Sequence, residues 1–248
     1  MRSIASVYLC ALSSGCGVEV LDPALPLAAT TGLVAHWSFD EGSGTAVRDQ
    51  SGNARDGVLS GGRWESEGRF GGALGLSRGD YITVPSFPHA TESWTVSVWV
   101  RFDGPPFPSE RSPLLSTELP GTGGWELHAP TSTTPPPRFE FSYHRGATVD
   151  AMSYVYLFCC PLAADRWMHV TAVVDAQAQS LTLYEGGTSS ATQVIDALIL
   201  PGDSTLYIGR WLDATRPRFF EGTIDDVRIY NRALTASEIQ RLEREPLL

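Results

Sequence analysis

Apolar and polar side chains alternate most regularly between Trp94 and Phe102. Trp94, Val96, Val98, Val100 and Phe102 fall on one side, and Thr95, Ser97, Trp99 and Arg101 on the other. A period of two is the signature of a strand, whose successive side chains point to opposite faces, and an apolar face this complete places the strand in the middle of a sheet. The same period recurs from Thr223 to Tyr230, which aligns Asp225 with Val227 and Ile229 and sends Asp226 to the opposite face. A carboxylate in line with core residues must be paired, hydrogen-bonded or bound to a cation, so Asp225 is the most informative acid in the chain. Shorter runs at 33–39, 73–76, 81–84, 125–129, 138–143, 166–175, 181–184, 193–199 and 206–209 are divided by turns rich in Gly, Pro and Asn. About a dozen short strands with such punctuation describe an all-β sandwich.

The pattern changes period after Tyr230. Thr235 stands three residues before Glu238, a T-x-x-E capping box, and Leu234 and Ile239 occupy the staple positions around it. Ile239 and Leu242 continue an apolar stripe until Pro246 ends it, which predicts a short C-terminal helix lying against the sandwich.

Size fits one domain, because all-β sandwiches of 200–250 residues commonly fold as a single unit. The chain has 248 residues, 42% of them hydrophobic, with seven tryptophans to fill a large core. Twenty-eight acids against 18 bases give a net charge of −10. That balance repels a phosphate backbone and argues against nucleic acid as a partner.

Residues 1–16 hold one base, Arg2, and then a short apolar run ending in LSSGC. The run is too short and too polar to cross a bilayer and suits an export signal. Its small residues before Cys16 resemble a bacterial lipobox, with Ser13 where leucine is usual, and imply lipidation at Cys16 and a membrane anchor. An ordinary signal cleaved near the same place is the alternative, and both readings take the protein out of the cytoplasm to the cell envelope or beyond. Residues 17–31, with Pro23 and Pro26, read as a linker, leaving 32–244 as the folded domain. With Cys10 removed and Cys16 lipidated, only Cys159 and Cys160 remain. Adjacent cysteines join through a constrained ring, stay free, or pair between molecules.

The closing segment FFEGTIDDVRIYNRALTASEIQRL resembles the end of laminin G-like domains of the concanavalin A-like lectin and glucanase superfamily. Upstream, LVAHWSFDEGSGTAVRDQSGNARDGVL, GRFGGALGLSRGDYITVP, SWTVSVWVRF, RWMHVTAVVDAQAQSLTLYEGG and LYIGR resemble its successive strands in order. The resemblance implies an antiparallel two-sheet jelly roll and a role in recognition. It also implies one structural Ca²⁺ joining the first strand to the last, with Asp40 and Asp225 as ligands and Gly79 or Asp80 adding an oxygen. Calcium takes six to eight oxygens, so waters or carbonyls would complete the shell. Hydrogen bonds from turn amides, or an ion pair with Arg228, would account for the same acids without a metal. In DQSGNARDG the alternate Asp49, Ser51 and Asn53 also read as a calcium loop or, more simply, as an Asx- and Gly-rich turn.

Ligand binding in sandwiches concentrates in loops at one end, and Trp125 and Tyr143 lie on the runs that follow the Pro-rich stretches 120–124 and 131–137, with a further such stretch at 104–108. Trp125 and Tyr143 are candidate ligand-binding aromatics, and Trp99, the apolar exception on the polar side of its strand, is a third, with packing under a loop as its alternative. No catalytic arrangement accompanies them. The E-x-D-x-x-E strand of related glucanases is missing, Glu140 stands alone, and H-E-x-x-H and P-loop motifs are absent. His169 has no nucleophile motif attached and reads as a hydrogen-bonded structural histidine. The expected function is a noncatalytic, exported module that recognises a glycan or an extracellular protein. A structural or adhesive surface lipoprotein, and then a glycoside hydrolase, are the alternatives.

Overall fold

The structure, a computed structural model, describes residues 30–88, 92–103, 112–117, 123–129, 137–144, 154–195, 205–211 and 217–246. The expected export signal, Cys16, nearly all of the linker and most of the Pro-rich loops lie outside them.

Two eight-stranded antiparallel sheets form a jelly-roll sandwich. The first runs β14 (Thr188–Val194), β13 (Ser180–Glu185), β12 (Trp167–Asp175), β7 (Trp94–Arg101), β18 (Gly222–Tyr230), β5 (Ala73–Leu76), β4 (Arg63–Glu65), with β1 (Leu33–Trp37) also paired to β18. The second runs β11 (Tyr154–Pro161), β10 (Arg138–His144), β9 (Trp125–Ala129), β8 (Ser112–Ser116), β15 (Leu206–Ile208), β6 (Tyr81–Val84), β3 (Gly57–Ser60), β2 (Ala46–Val47). A two-stranded ribbon, β16 (Arg210–Trp211) with β17 (Arg218–Phe219), and one helix, α1 (Ala236–Arg244), complete the described elements.

The inner faces of both sheets supply one continuous core. Trp94, Val96, Val98, Val100 and Phe102 pack into it as the alternation predicts, and β7 sits in mid-sheet between β12 and β18.

Along β18 the alternation fails at one point. Asp225 stands opposite Trp99, but the next partnered pair is Arg228 with Ser97, so β18 carries one more residue than β7 across the same span. The extra residue is absorbed in a bulge where Asp226 has a φ of 49°. Ile224, Val227 and Ile229 therefore all reach the core, while Asp225 leaves their line and lies opposite Trp99 on the outer face. Asp226 shares that face, because it bonds both His36 and Arg228 there. The expectation that Asp225 aligns with Val227, and that the two acids part, is corrected by this one-residue insertion.

The outer face of the first sheet is itself buried. Helix α1 lies over it, and Ile239, Leu242, Leu234, Tyr230 and Val173 form a second small cluster. The capping box forms as expected: the Thr235 side chain accepts from the Glu238 amide, and the Glu238 carboxylate accepts from the Thr235 amide. Beside this cluster the same face buries Thr95, Ser97, His169, Thr171, Thr223, Asp225, Asp226 and Arg228, a polar layer under helix and turn.

The 49–53 segment folds as the turn. Asp49 accepts hydrogen bonds from the amides of His36, Ser51 and Arg55 and from the Ser51 hydroxyl. Partial burial pushes its carboxyl upward, but these donors outweigh that and hold it below the ordinary value.

Candidate functional site

Where the two sheets part at one end of the sandwich, a cleft of about 320 Å³ opens between them. Its apolar wall comes from Phe87, Trp94 and Trp125, and its polar wall from Arg55, Glu92 and Asn231. Trp94 and Trp125 open β7 and β9, one strand from each sheet, and their ring centroids lie 4.7 Å apart. Asn231 follows the last residue of β18. Arg55 is anchored from two sides: its Nη1 donates to the Val34 carbonyl and its own carbonyl accepts from Trp37 Nε1, both at 3.0 Å. Ser93, next to Glu92, is held by the Ala176 amide.

The volume is at the small end of the ~300–1,000 Å³ typical of small-ligand sites. Among the described residues Glu92 is the single carboxylate lining it. The described residues of the cleft therefore do not supply the two carboxyls of glycoside hydrolysis. What the walls offer is apolar surface beside an acceptor, a cationic donor and an amide, the complement of a small ligand with both hydroxyls and hydrocarbon faces.

The predicted aromatics separate on inspection. Trp125 lines the cleft, although it is itself only 3% exposed and packs on Trp94 and Phe141. Trp99 is only 5% exposed: His169 stacks on it at 4.9 Å, the Arg69 guanidinium lies 4.5 Å over it, and Phe70 meets it edge-on. Tyr143 is fully buried beside Phe141. Neither presents a face to a ligand, because the turn at 68–72 covers one and the sandwich core encloses the other. Both are corrected to packing residues.

His169 is the hydrogen-bonded structural histidine expected. Its Nε2 lies 2.7 Å from Ser97 Oγ, and burial, with Arg228 and Arg69 nearby, lowers its pKa to about 3 despite the opposing charge of Asp226. Glu140 is not alone, since its Oε1 lies 3.2 Å from His128 Nε2 and Glu126 stands on the adjacent strand opposite Ser142. All are buried and outside the cleft.

The four residues expected around calcium fall into two groups. Asp225 and Asp40 both grip the Gly-rich turn at 68–72. Asp225 Oδ2 accepts from the Arg69 and Phe70 amides at 2.7 and 2.9 Å, and Asp40 Oδ1 from the Gly72 amide at 2.6 Å. Glycine is required here, because a β-carbon at Gly68 would meet the Gly72 carbonyl and Asp225, and one at Gly71 would meet Asp40. Gly79 and Asp80 lie elsewhere: β5 has already passed Gly222, three residues before Asp225, when their turn begins. Asp80 Oδ2 closes that turn by accepting from the Ser77 amide. Gly79 and Asp80 are therefore turn residues apart from the Asp40 and Asp225 pair, and among the described residues no three acidic, histidine or cysteine side chains converge. Asp225 alone retains a feature that fits a cation, a buried Oδ1 with no partner among the described residues. Burial drives its pKa to about 8, with the Asp226 charge adding to it against the amides of Phe70, Arg69 and Asp226.

Sequence reading missed Phe87, Trp94, Arg55, Glu92 and Asn231 as site residues. Trp94 carried the signal of a core position, and the others lie in turns or beside strand ends, where no periodicity marks them.

The pattern of a laminin G family, described as the concanavalin A-like lectin/glucanases superfamily, matches residues 76–240. The chain belongs to that superfamily. Among solved structures of this superfamily's fold, the binding domain of Paraclostridial Mosquitocidal Protein 1 superposes with a TM-score of 0.68 at 16% identity, over 87% of this chain and 52% of that one. Domain 4 of AbnA, a GH43 extracellular arabinanase from Geobacillus stearothermophilus, solved with arabinotriose, gives 0.64 at 18% over 86% and 98%. The binding domain of Botulinum neurotoxin DC, solved with rat synaptotagmin II, gives 0.65 at 14% over 87% and 52%. The chain thus spans about half the length of the toxin domains it matches. No curated protein matches it in sequence.

Proposed function

We propose that this protein is a noncatalytic recognition module whose ligand is a glycan held in the inter-sheet cleft. The observation that carries the reading is the cleft itself, which joins aromatic walls from both sheets to Arg55, Glu92 and Asn231 and includes no second carboxylate among the described residues. Sugars present C–H faces to aromatic rings and hydroxyls that both donate and accept, which this lining complements. The arabinotriose complex of the arabinanase domain supports a glycan, and the synaptotagmin II complex of the toxin domain supports a protein ligand on a like fold. The test is a glycan array probed with the full chain, followed by titration of any hit against Trp125→Ala, with a melting curve to show that the variant is folded, because Trp125 is buried. A hit that weakens at least tenfold in the variant supports the cleft. A blank array with a protein recovered by pull-down would favour the protein ligand, and a blank in both would leave the structural or adhesive role.

Export with lipidation at Cys16 belongs to the same reading, which LSSGC supports. Mass spectrometry of the mature N-terminus from a bacterial envelope tests it, and an unmodified terminus would remove the anchor. A structural Ca²⁺ held by Asp225, with Asp40 on the same turn, is supported by the unpartnered Asp225 Oδ1.

A further inference from the structure

We propose that the bond between Cys159 and Cys160 is a reducible clasp that fixes the register of the outer edge of the second sheet. The two neighbouring residues are joined to one another. They lie near the end of β11, which among the described residues forms the edge of its sheet and pairs within it only with β10. Phe139 stands opposite Cys159, yet the next pair is Arg138 with Pro161, so Cys160 is the additional residue of a bulge. Its φ of 41° lies in the left-handed region that residues with a β-carbon rarely adopt.

The bulge changes where side chains and chain go. Strict alternation would send one of two neighbours outward, but Cys159 and Cys160 are 2% and 6% exposed and both join the core. Beyond them the Leu162 amide donates to the Pro137 carbonyl, the Ala163 amide to Met168 Sδ and the Asp165 amide to the Phe102 carbonyl. These bonds guide the connection from the edge of one sheet into β12 of the other. The same strand carries Tyr156 and Phe158, two of the large apolar side chains left exposed, so the register held by the clasp is also that of an exposed edge.

The chemistry is thiol–disulfide exchange with a dithiol reductant. When the edge opens locally, a thiolate of the dithiol attacks one cysteine sulfur, forming a mixed disulfide and releasing the other sulfur as thiolate. The second thiol of the reductant then displaces the first cysteine, and the reductant departs as its own disulfide. The chain gains two electrons and two protons as two thiols. With the ring open, no covalent link holds Cys160 at positive φ, and the edge relaxes from its bulged pairing. An oxidising compartment keeps the clasp closed.

The experiment uses the full chain purified without reductant, with mass spectrometry of the peptide spanning Cys159 and Cys160 and hydrogen exchange of intact protein. Treatment with dithiothreitol under native conditions should make that peptide two hydrogens heavier. Amides of β10 and β11 should then exchange about tenfold faster while those of β7 stay unchanged. A peptide already carrying two thiols, a bond that resists native reduction, or reduction without faster exchange would each overturn the proposal. Two double variants separate backbone from sulfur. Cys159→Ala with Cys160→Gly, where glycine accepts positive φ, should keep the slow exchange of the oxidised protein. Cys159→Ala with Cys160→Ala should match the reduced protein, and equal exchange in both variants would also overturn it. If the alanine variant does not fold, reduced wild type and the glycine variant still decide.

Discussion

His36 Nε2 and Asp226 Oδ1 lie 2.7 Å apart, although 190 residues separate them in the chain. His36 is on the first strand and Asp226 in the bulge of the last, and Arg228 closes the group, donating from Nε at 3.0 Å and pairing through Nη2 at 2.7 Å. All three are at most 4% exposed. This network ties the first strand to the last, the task the superfamily resemblance gives to calcium. Removing the carboxylate leaves the Arg228 charge buried without its anion. Asp226→Ala should therefore lose about 3–5 kcal/mol, measured as a lower guanidinium midpoint with an unchanged slope.

Asp225 gives a pH test that also reports on calcium. Its pKa is about 8 in the folded chain against 3.8 ordinarily, so between those values the folded state holds the extra proton. Its contribution to stability is complete below about pH 3.8 and is lost as pH rises toward 8. In excess EDTA, Asp225→Asn should remove that decline. If calcium binds, millimolar calcium should raise the wild-type melting midpoint, by about 2.7 kcal/mol of stability at 100 times Kd, and should not raise that of the variant. Wild-type melting indifferent to calcium would assign Asp225 to the turn amides alone.

His169 titrates in the opposite sense. Burial, the largest cause, lowers its pKa from 6.5 to about 3, so the unfolded chain binds the extra proton between those values. The contribution is complete above pH 6.5 and is lost as pH falls toward 3. His169→Gln should cost stability at neutral pH, and the gap from wild type should narrow in acid. Paired denaturation curves at pH 7 and pH 4.5 check this, and a constant gap would contradict it.

The cleft predicts a division among the tryptophans. Trp99→Ala should destabilise by about 3–5 kcal/mol, as loss of a large buried aromatic does, and leave ligand affinity within twofold while the protein remains folded. Glu92→Ala, at an exposed position, should change the melting midpoint little and weaken the glycan hit. Calorimetric titration of both variants, with melting curves alongside, separates the two effects.

The sequence by itself determined the most regular strands, the sandwich, the central place of β7 and the capped helix. Each depends on contacts within a few residues or on a pleat whose period of two is unbroken, so Trp94 to Phe102 and the Thr235–Glu238 box could be read directly. The bulges at Asp226 and Cys160 could not, because an extra residue in one strand exists only relative to the strand beside it. Each moves one side chain to the face its spacing forbids, and in β18 that shift takes Asp225 out of line with Val227. Whether Trp99 faces solvent was likewise decided from afar, by the turn at 68–72, which packs Arg69 and Phe70 onto it. The cleft is the fullest case. Arg55, Phe87, Glu92, Trp125 and Asn231 come from separate turns and strand ends, and the tertiary fold alone brings them around one cleft.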